Sequence, residues 1–158
     1  MHRITTEQFL PIPLEKAWDF FSKPENLDEL TPQDISFEIL SSAEERTYSG
    51  QIIRYRIRPI LNIPTSWVTE ITHCVENQYF IDEQRFGPYK FWHHQHRFKS
   101  VDGGVVMSDV LHYALPFGFL GEFMGKLFIH KKVNEIFTYR EGKLNQLFSI
   151  PQKKESVL

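Results

Sequence analysis

Two histidines with one residue between them, His94 and His96, are the first side chains whose type and spacing suggest chemistry. In a strand, alternate side chains leave the same face, so both imidazoles point together with Trp92 and Phe98. A His-x-His pair on a strand can begin a divalent-metal site, with Asp109 or His112 as the next ligand. Two ligands are not three. Asp109 and His112 differ in parity, so one regular strand sends them to opposite faces. The pattern therefore predicts no metal and no cofactor. It reads better as the polar lining of a pocket, and the plainest alternative is a pair of buried histidines satisfied by structural partners. For acid–base work His94, His96, Asp82, Glu83 and Asp109 all carry suitable groups. No spacing singles one out, so no catalytic residue is assigned. The chain contains no nucleophile elbow, phosphate-cradling glycine loop, dinucleotide fingerprint or His-Glu-x-x-His. Gly118, Gly121 and Gly125 read as room for a close helix approach or for space above a pocket.

The elements that must position the histidines follow from pattern. A first strand is expected over residues 2–11, then a helix opened by Pro13 with Ala17, Phe20 and Phe21 near one face. A second short helix follows Pro24, with Ser22 as its candidate cap, and must stop before Thr31-Pro32. Residues 36–40 alternate weakly. After Gly50, Ile53, Tyr55 and Ile57 share one strand face and Arg54, Arg56 and Arg58 the other. The arginines read as a solvated face with salt bridges to residues such as Glu70. A turn at Ile60–Ile63, between Pro59 and Pro64, leads to strands over 66–74, 79–86, 89–99 and 105–115, the last two joined by a hairpin at Asp102-Gly103-Gly104. Nothing interrupts a helical reading from Phe117 to about Phe148, although the apolar face of its second half is rotated by roughly 120° from the first. Sequential hairpins with one long helix make an α+β fold: a curved antiparallel sheet of six or seven strands around that helix. Residues 1–150 are expected as a single domain and 151–158 as a polar tail.

At 158 residues the chain can bury roughly 70% of its unfolded surface and needs no staples. Cys74, the lone cysteine, excludes an intrachain disulfide and a cysteine-rich zinc site. A net charge of −2 argues against a nucleic-acid partner. The first ten residues lack a signal peptide's apolar run. The most apolar stretch, Leu111 to Ile129, is broken by His112, Pro116, Glu122 and Lys126, so membrane insertion is not expected and the cytoplasm is the expected compartment. Aromatics make up 15% of the chain, and Trp67, Phe91, Trp92, Tyr113, Phe117, Phe119 and Phe123 gather where a sheet mouth would meet the helix start. The expected ligand-binding residues are Trp67, Tyr89, Trp92, His94, His96, Tyr113, Phe117 and Phe123, with 117–123 as a lid hinged at Pro116-Phe117-Gly118. If the two histidines serve a ligand, replacing both by Leu is expected to weaken its binding and leave stability level or higher.

Several segments carry a family likeness. Phe9-Leu-Pro11, Ala17-Trp-Asp-Phe-Phe-Ser22 and Pro24-Glu-Asn-Leu resemble the opening strand and helix pair of the START-like superfamily, also called SRPBCC, helix-grip or pollen-allergen-like. Ile63-Pro-Thr-Ser-Trp67, Asp82-Glu-Gln84, Gly87-Pro-Tyr-Lys-Phe-Trp92 and Trp92-His-His-Gln-His96 are similar to stretches of its bacterial ligand-binding subgroup of largely uncharacterised proteins. Met107-Ser-Asp-Val-Leu-His-Tyr113, Leu115-Pro-Phe-Gly118 and Ile136-Phe-Thr-Tyr-Arg140 continue the likeness, which spans about residues 4 to 148. The resemblance implies a helix-grip fold. Its functions range over lipid carriers, plant hormone receptors, cyclases, oxygenase domains and chaperone activators, and some relatives are fused to nucleotide-sugar-epimerase-like domains. With the aromatic stock it leads to one expectation: a monomer or weak homodimer that binds a hydrophobic or aromatic small molecule in an internal cavity. The alternatives are a cyclase- or hydrolase-like enzyme using that cavity and a chaperone-activator-like protein-interaction module.

Overall fold

A computed structural model describes residues 1–35, 37–41, 46–58, 64–116, 118 and 128–148. In chain order the elements are β1 (His2–Leu10), α1 (Leu14–Phe21), α2 (Asn26–Glu29), β2 (Phe37–Ile39), β3 (Ile52–Ile57), β4 (Thr65–Val75), β5 (Tyr79–Phe86), β6 (Phe91–Val101), β7 (Gly104–Ala114) and α3 (His130–Phe148). The seven strands form one antiparallel sheet in the order β1-β7-β6-β5-β4-β3-β2. From β2 to β7 each strand pairs with its neighbour in sequence, whereas β1 pairs with the far side of β7, from His2↔Tyr113 to Leu10↔Val105, so β1 and β2 are the two edges. Register shifts on β4, between Val68 and Thr69 and between Ile71 and His73, are irregularities of the kind that bend a strand. The expected α+β architecture of a curved antiparallel sheet with a C-terminal helix is the observed one.

Alternation sets which face turns inward. On β3, Ile53, Tyr55 and Ile57 are buried and the three arginines exposed, as the pattern requires. The expected partner of those arginines is corrected. Arg56 pairs with Glu38 of β2 at 3.0 Å, and Glu70 goes to Arg85 at 2.6 Å. Glu70 faces Glu83 across β4 and β5, and Arg85, 3.0 Å from Glu83 as well, separates two carboxylates that would otherwise repel.

Helix α1 covers one end of the inner face. Trp18 meets Phe98 edge-on at 5.6 Å and Phe80 at 6.1 Å, in a core completed by Leu10, Phe21, Val105 and Met107. Ser22 does not cap a second helix. It closes α1, its amide donating to the Trp18 carbonyl at 2.9 Å, because α2 begins only at Asn26. A smaller core of Leu111, Tyr113, Leu115 and Val133 holds the start of α3. The described helix α3 starts at His130, after a π-type turn at residues 128–129. The expected earlier turns of that helix, the lid with Phe117 and Phe123, the Ile60–Ile63 turn and the polar tail lie outside the described residues. No helix among the described residues is long and apolar enough to cross a membrane.

Candidate functional site

Three neighbouring strands bring the chemistry together. Register places Asp82 of β5 opposite His94 of β6, and His96 of β6 opposite Asp109 of β7. Directly opposed residues share a face, so two carboxylates and two imidazoles meet on the inner surface of the sheet. His96 Nε2 lies 2.9 Å from Asp82 Oδ2, and its Nδ1 lies 2.7 Å from Asp109 Oδ1. His94 is placed alike, with Nδ1 3.6 Å from Asp82 Oδ2 and Nε2 3.2 Å from Asp109 Oδ1. From α3, Arg140 reaches down to Asp109 Oδ1 at 3.4 Å, with its guanidinium over the Phe21 ring. These groups are deeply buried: His94 and His96 are 7% exposed, Asp109 4% and Arg140 8%.

Burial and the paired charges pull the protonation states in opposite directions. Both nitrogens of His96 face carboxylate oxygens at hydrogen-bond distance, and only the imidazolium donates from both. Burial pulls the His96 pKa down, but hydrogen bonds to Asp109 and Asp82 outweigh it and the net direction is up. His94 goes the other way: burial and the neighbouring charge of His96 hold it below the usual histidine range. Burial pushes Asp109 up, yet the Arg140 charge and the histidine hydrogen bonds bring it well below the ordinary carboxylate value. Asp82 is lowered as well, with burial opposed by its bond to His96 and the charges of both histidines. These directions favour ionised carboxylates, a charged His96 and a neutral His94, an arrangement in which the guanidinium and one imidazolium balance the two acids.

The cluster forms part of the wall of a cavity of about 700 Å³ between the sheet and α3. Asp82, His94, His96 and Arg140 line it, and the apolar wall includes Tyr55, Ile71, Trp67, Tyr89 and Trp92. Trp67 and Trp92 meet edge-on at 5.1 Å, and Tyr89 packs on Trp92 at 4.8 Å. The Trp67 indole donates to Thr69 Oγ1 at 2.9 Å, which fixes that ring. Phe80 stacks on His96 at 4.3 Å.

Of the residues expected at a ligand site, Trp67, Tyr89, Trp92, His94 and His96 are on this wall. Tyr113 is beside it: its ring packs among Leu111, Leu115 and Val133, and its hydroxyl meets His130 Nδ1 at 2.6 Å. Phe117 and Phe123 fall outside the described residues. Glu83, one of the candidate acids, is on the outer face, 2.6 Å from His93 Nδ1. The premise that the histidine pair lacks a third ligand on its own face is corrected, because Asp82 supplies one from β5, with Asp109 of β7 behind the two rings. Arg140 was missed. Val133, Phe137, Arg140 and Leu144 fall on one helical stripe, and an arginine in an apolar stripe is a signal for a buried carboxylate partner.

No family model matches the chain, and no curated protein matches it. Solved structures do. The protein CV1439 from Chromobacterium violaceum aligns over 94% of this chain and 97% of its own with a TM-score of 0.69 at 12% identity. Ara h 8.0201 aligns over 92% of this chain and 98% of its own, with a TM-score of 0.58 at 17% identity. A nucleoside-diphosphate sugar epimerase from Corynebacterium glutamicum shares the fold over 90% of this chain but only 28% of its own length, with a TM-score of 0.64 at 22% identity. At these identities the likeness is one of architecture: the helix-grip fold.

Proposed function

We propose that the protein binds a small hydrophobic or aromatic molecule that carries one polar end, held in the cavity between sheet and α3. One observation carries this reading: in a cavity of about 700 Å³ the aromatic wall of Tyr55, Trp67, Tyr89 and Trp92 adjoins the buried polar group of Asp82, His94 and His96, an arrangement suited to orienting a largely apolar ligand by one polar end. Tyr55, Trp67, Tyr89 and Trp92 would take the apolar body, and Asp82, His94 and His96 the polar end. The motifs around Asp82, Tyr89 and His96 support membership of the bacterial ligand-binding subgroup. We read the chain as one domain over residues 1–150, working as a monomer or weak homodimer in the cytoplasm.

A naphthalene-sulfonate dye tests the reading. Its fluorescence should rise on addition of protein with a stoichiometry of one, Trp67 and Trp92 emission should be quenched in parallel, and Trp92→Ala should lower the affinity about tenfold. Dye binding that Trp92→Ala leaves unchanged would refute the assignment. A second reading, turnover in the same cavity, is favoured by the two adjacent imidazoles whose pKa values are driven apart. Native mass spectrometry of protein from its own host separates the two: a retained molecule supports a carrier, and conversion of that molecule on incubation supports an enzyme.

A further inference from the structure

We propose that Asp82, His94 and His96 form a binding site for a first-row divalent cation on the cavity wall, with Asp109 orienting both imidazoles. The donor atoms of the three residues lie within 4.8 Å of one another. Asp82 Oδ2 is 2.9 Å from His96 Nε2 and 3.6 Å from His94 Nδ1. A tetrahedral zinc ion with bonds near 2.0–2.2 Å sets its donors roughly 3.4 Å apart, so small side-chain rotations suffice to admit one.

The second layer of the site is the stronger argument. A metal-bound histidine needs its remaining ring N–H held, most often by a carboxylate, to set its tautomer and orientation. Here the far nitrogens of both histidines converge on one oxygen, Asp109 Oδ1, at 2.7 Å from His96 Nδ1 and 3.2 Å from His94 Nε2. Arg140 in turn holds Asp109 from α3 at 3.4 Å. Each imidazole therefore presents one nitrogen to Asp82 and turns the other to a common anchor.

Asp109 Oδ1 and His94 Nε2 are buried 3.2 Å apart without a hydrogen bond of good geometry, so the anchor would gain that bond when an ion on the near nitrogens turns the rings. The donor set selects the ion. Two imidazoles and one carboxylate suit zinc, iron or cobalt better than calcium or magnesium, which prefer all-oxygen cages. All three ligands line the cavity, so the remaining coordination positions open toward it and would accept water or an oxygen of a bound molecule. The cation would occupy the same three side chains that meet the polar end of the proposed ligand, but its uptake needs no organic molecule, so the two readings fail separately.

The full-length chain, stripped with a chelator and dialysed, should take up one equivalent of Co(II) with visible d–d absorption. Asp82→Asn should weaken that binding at least tenfold. Asp109→Asn, which touches no ion, should weaken it by about 10- to 100-fold through the histidines. His93→Gln, on the outer face of the sheet, should leave it unchanged. In the unsubstituted chain, Co(II) should broaden the imidazole NMR signals of His94 and His96 before those of His2 and His130, whose rings lie 3.9 Å apart and form the competing pair. This measurement decides the matter if Asp82→Asn fails to fold. Absence of absorption at one equivalent, affinity indifferent to a folded Asp82→Asn, or broadening confined to His2 and His130 would overturn the proposal.

Discussion

Arg140 is the guanidinium that keeps the buried Asp109 carboxylate compatible with a folded core. Its removal leaves Asp109 facing one imidazolium and no guanidinium in a site shielded from water. Breaking a buried ion pair from one side costs about 3–5 kcal/mol, because the surviving charge keeps its desolvation penalty. Arg140→Met should therefore lower the urea midpoint by that much stability, while Arg140→Met combined with Asp109→Asn should cost less than the sum of the two. Strict additivity in that cycle would mean that the pair does not interact. The same reasoning revises the expectation that replacing His94 and His96 by Leu leaves stability level or higher. That substitution leaves Asp82 against leucines and Asp109 with Arg140 alone, so the double variant should be markedly less stable even where its folded fraction still binds dye. The histidines are at once cavity wall and counter-charge, and a stability measurement alone cannot separate the two roles.

At the scale of elements, the β6–β7 hairpin shows what could be read and what could not. Gly103 adopts φ +76 in the turn with open space around a would-be Cβ, so Gly103→Ala should cost only the left-handed backbone penalty of about 1–2 kcal/mol. Gly104 differs in kind. A Cβ there would sit 2.2 Å from the Leu10 carbonyl oxygen and 2.9 Å from the Phe9 ring, so the end of β1 would have to move. Gly104→Ala should destabilise more than Gly103→Ala in parallel urea titrations, and it should speed amide exchange near Leu10. Equal effects would show that β1 yields freely. The turn itself was legible in Asp102-Gly103-Gly104, and so were the faces of β3 and the outline of β5, because period-two burial is written into residue type. The site needed one more step. Val101 opposite Gly104 fixes the whole β6–β7 register, and counting equal steps from it brings His96 opposite Asp109. Asp82 offered no such route, because the nine residues 84–92 between the paired Glu83 and His93 leave the β5–β6 pairing open to several registers. Arg140 was hidden differently, in a polar helix whose stripe of Val133, Arg140 and Leu144 shows its purpose only once Asp109 is known to lie beneath it.

For the molecule as a whole, the question is how firmly α3 is held over its cavity. The sheet is continuous from β1 to β2, with eleven-residue ladders between β6 and β7. Helix α3 has far less: Val133, Arg140 and Leu144 are its buried residues, and the cavity occupies much of the space beneath it. Its further ties are the Tyr113–His130 bond, half-buried Phe137 and Phe148 against His94 and Phe20, and single polar bridges, with Gln8 donating to the Glu141 carbonyl and to Asn145 at 3.0 Å each, Lys132 paired with Asp34, and Lys143 3.6 Å from Glu29. Such exposed bridges contribute about 0–1 kcal/mol apiece. Regions with few buried apolar contacts open at lower free energy than the core to which they attach. In the ligand-free chain, amides of residues 130–148 should thus exchange faster than those of 91–114. A molecule filling the cavity contacts both layers and binds only the closed form, so saturating dye at about 100 times its dissociation constant should protect α3 by up to about 2.7 kcal/mol. The central strands, already limited by global unfolding, should gain no more than α3 does. Hydrogen exchange read by mass spectrometry, with and without the dye, tests this directly. Equal protection of α3 and β6–β7 in the free protein would mean that the polar cluster alone locks the helix down. Dye that binds without slowing exchange in 130–148 would mean that the occupied site is not the space beneath α3.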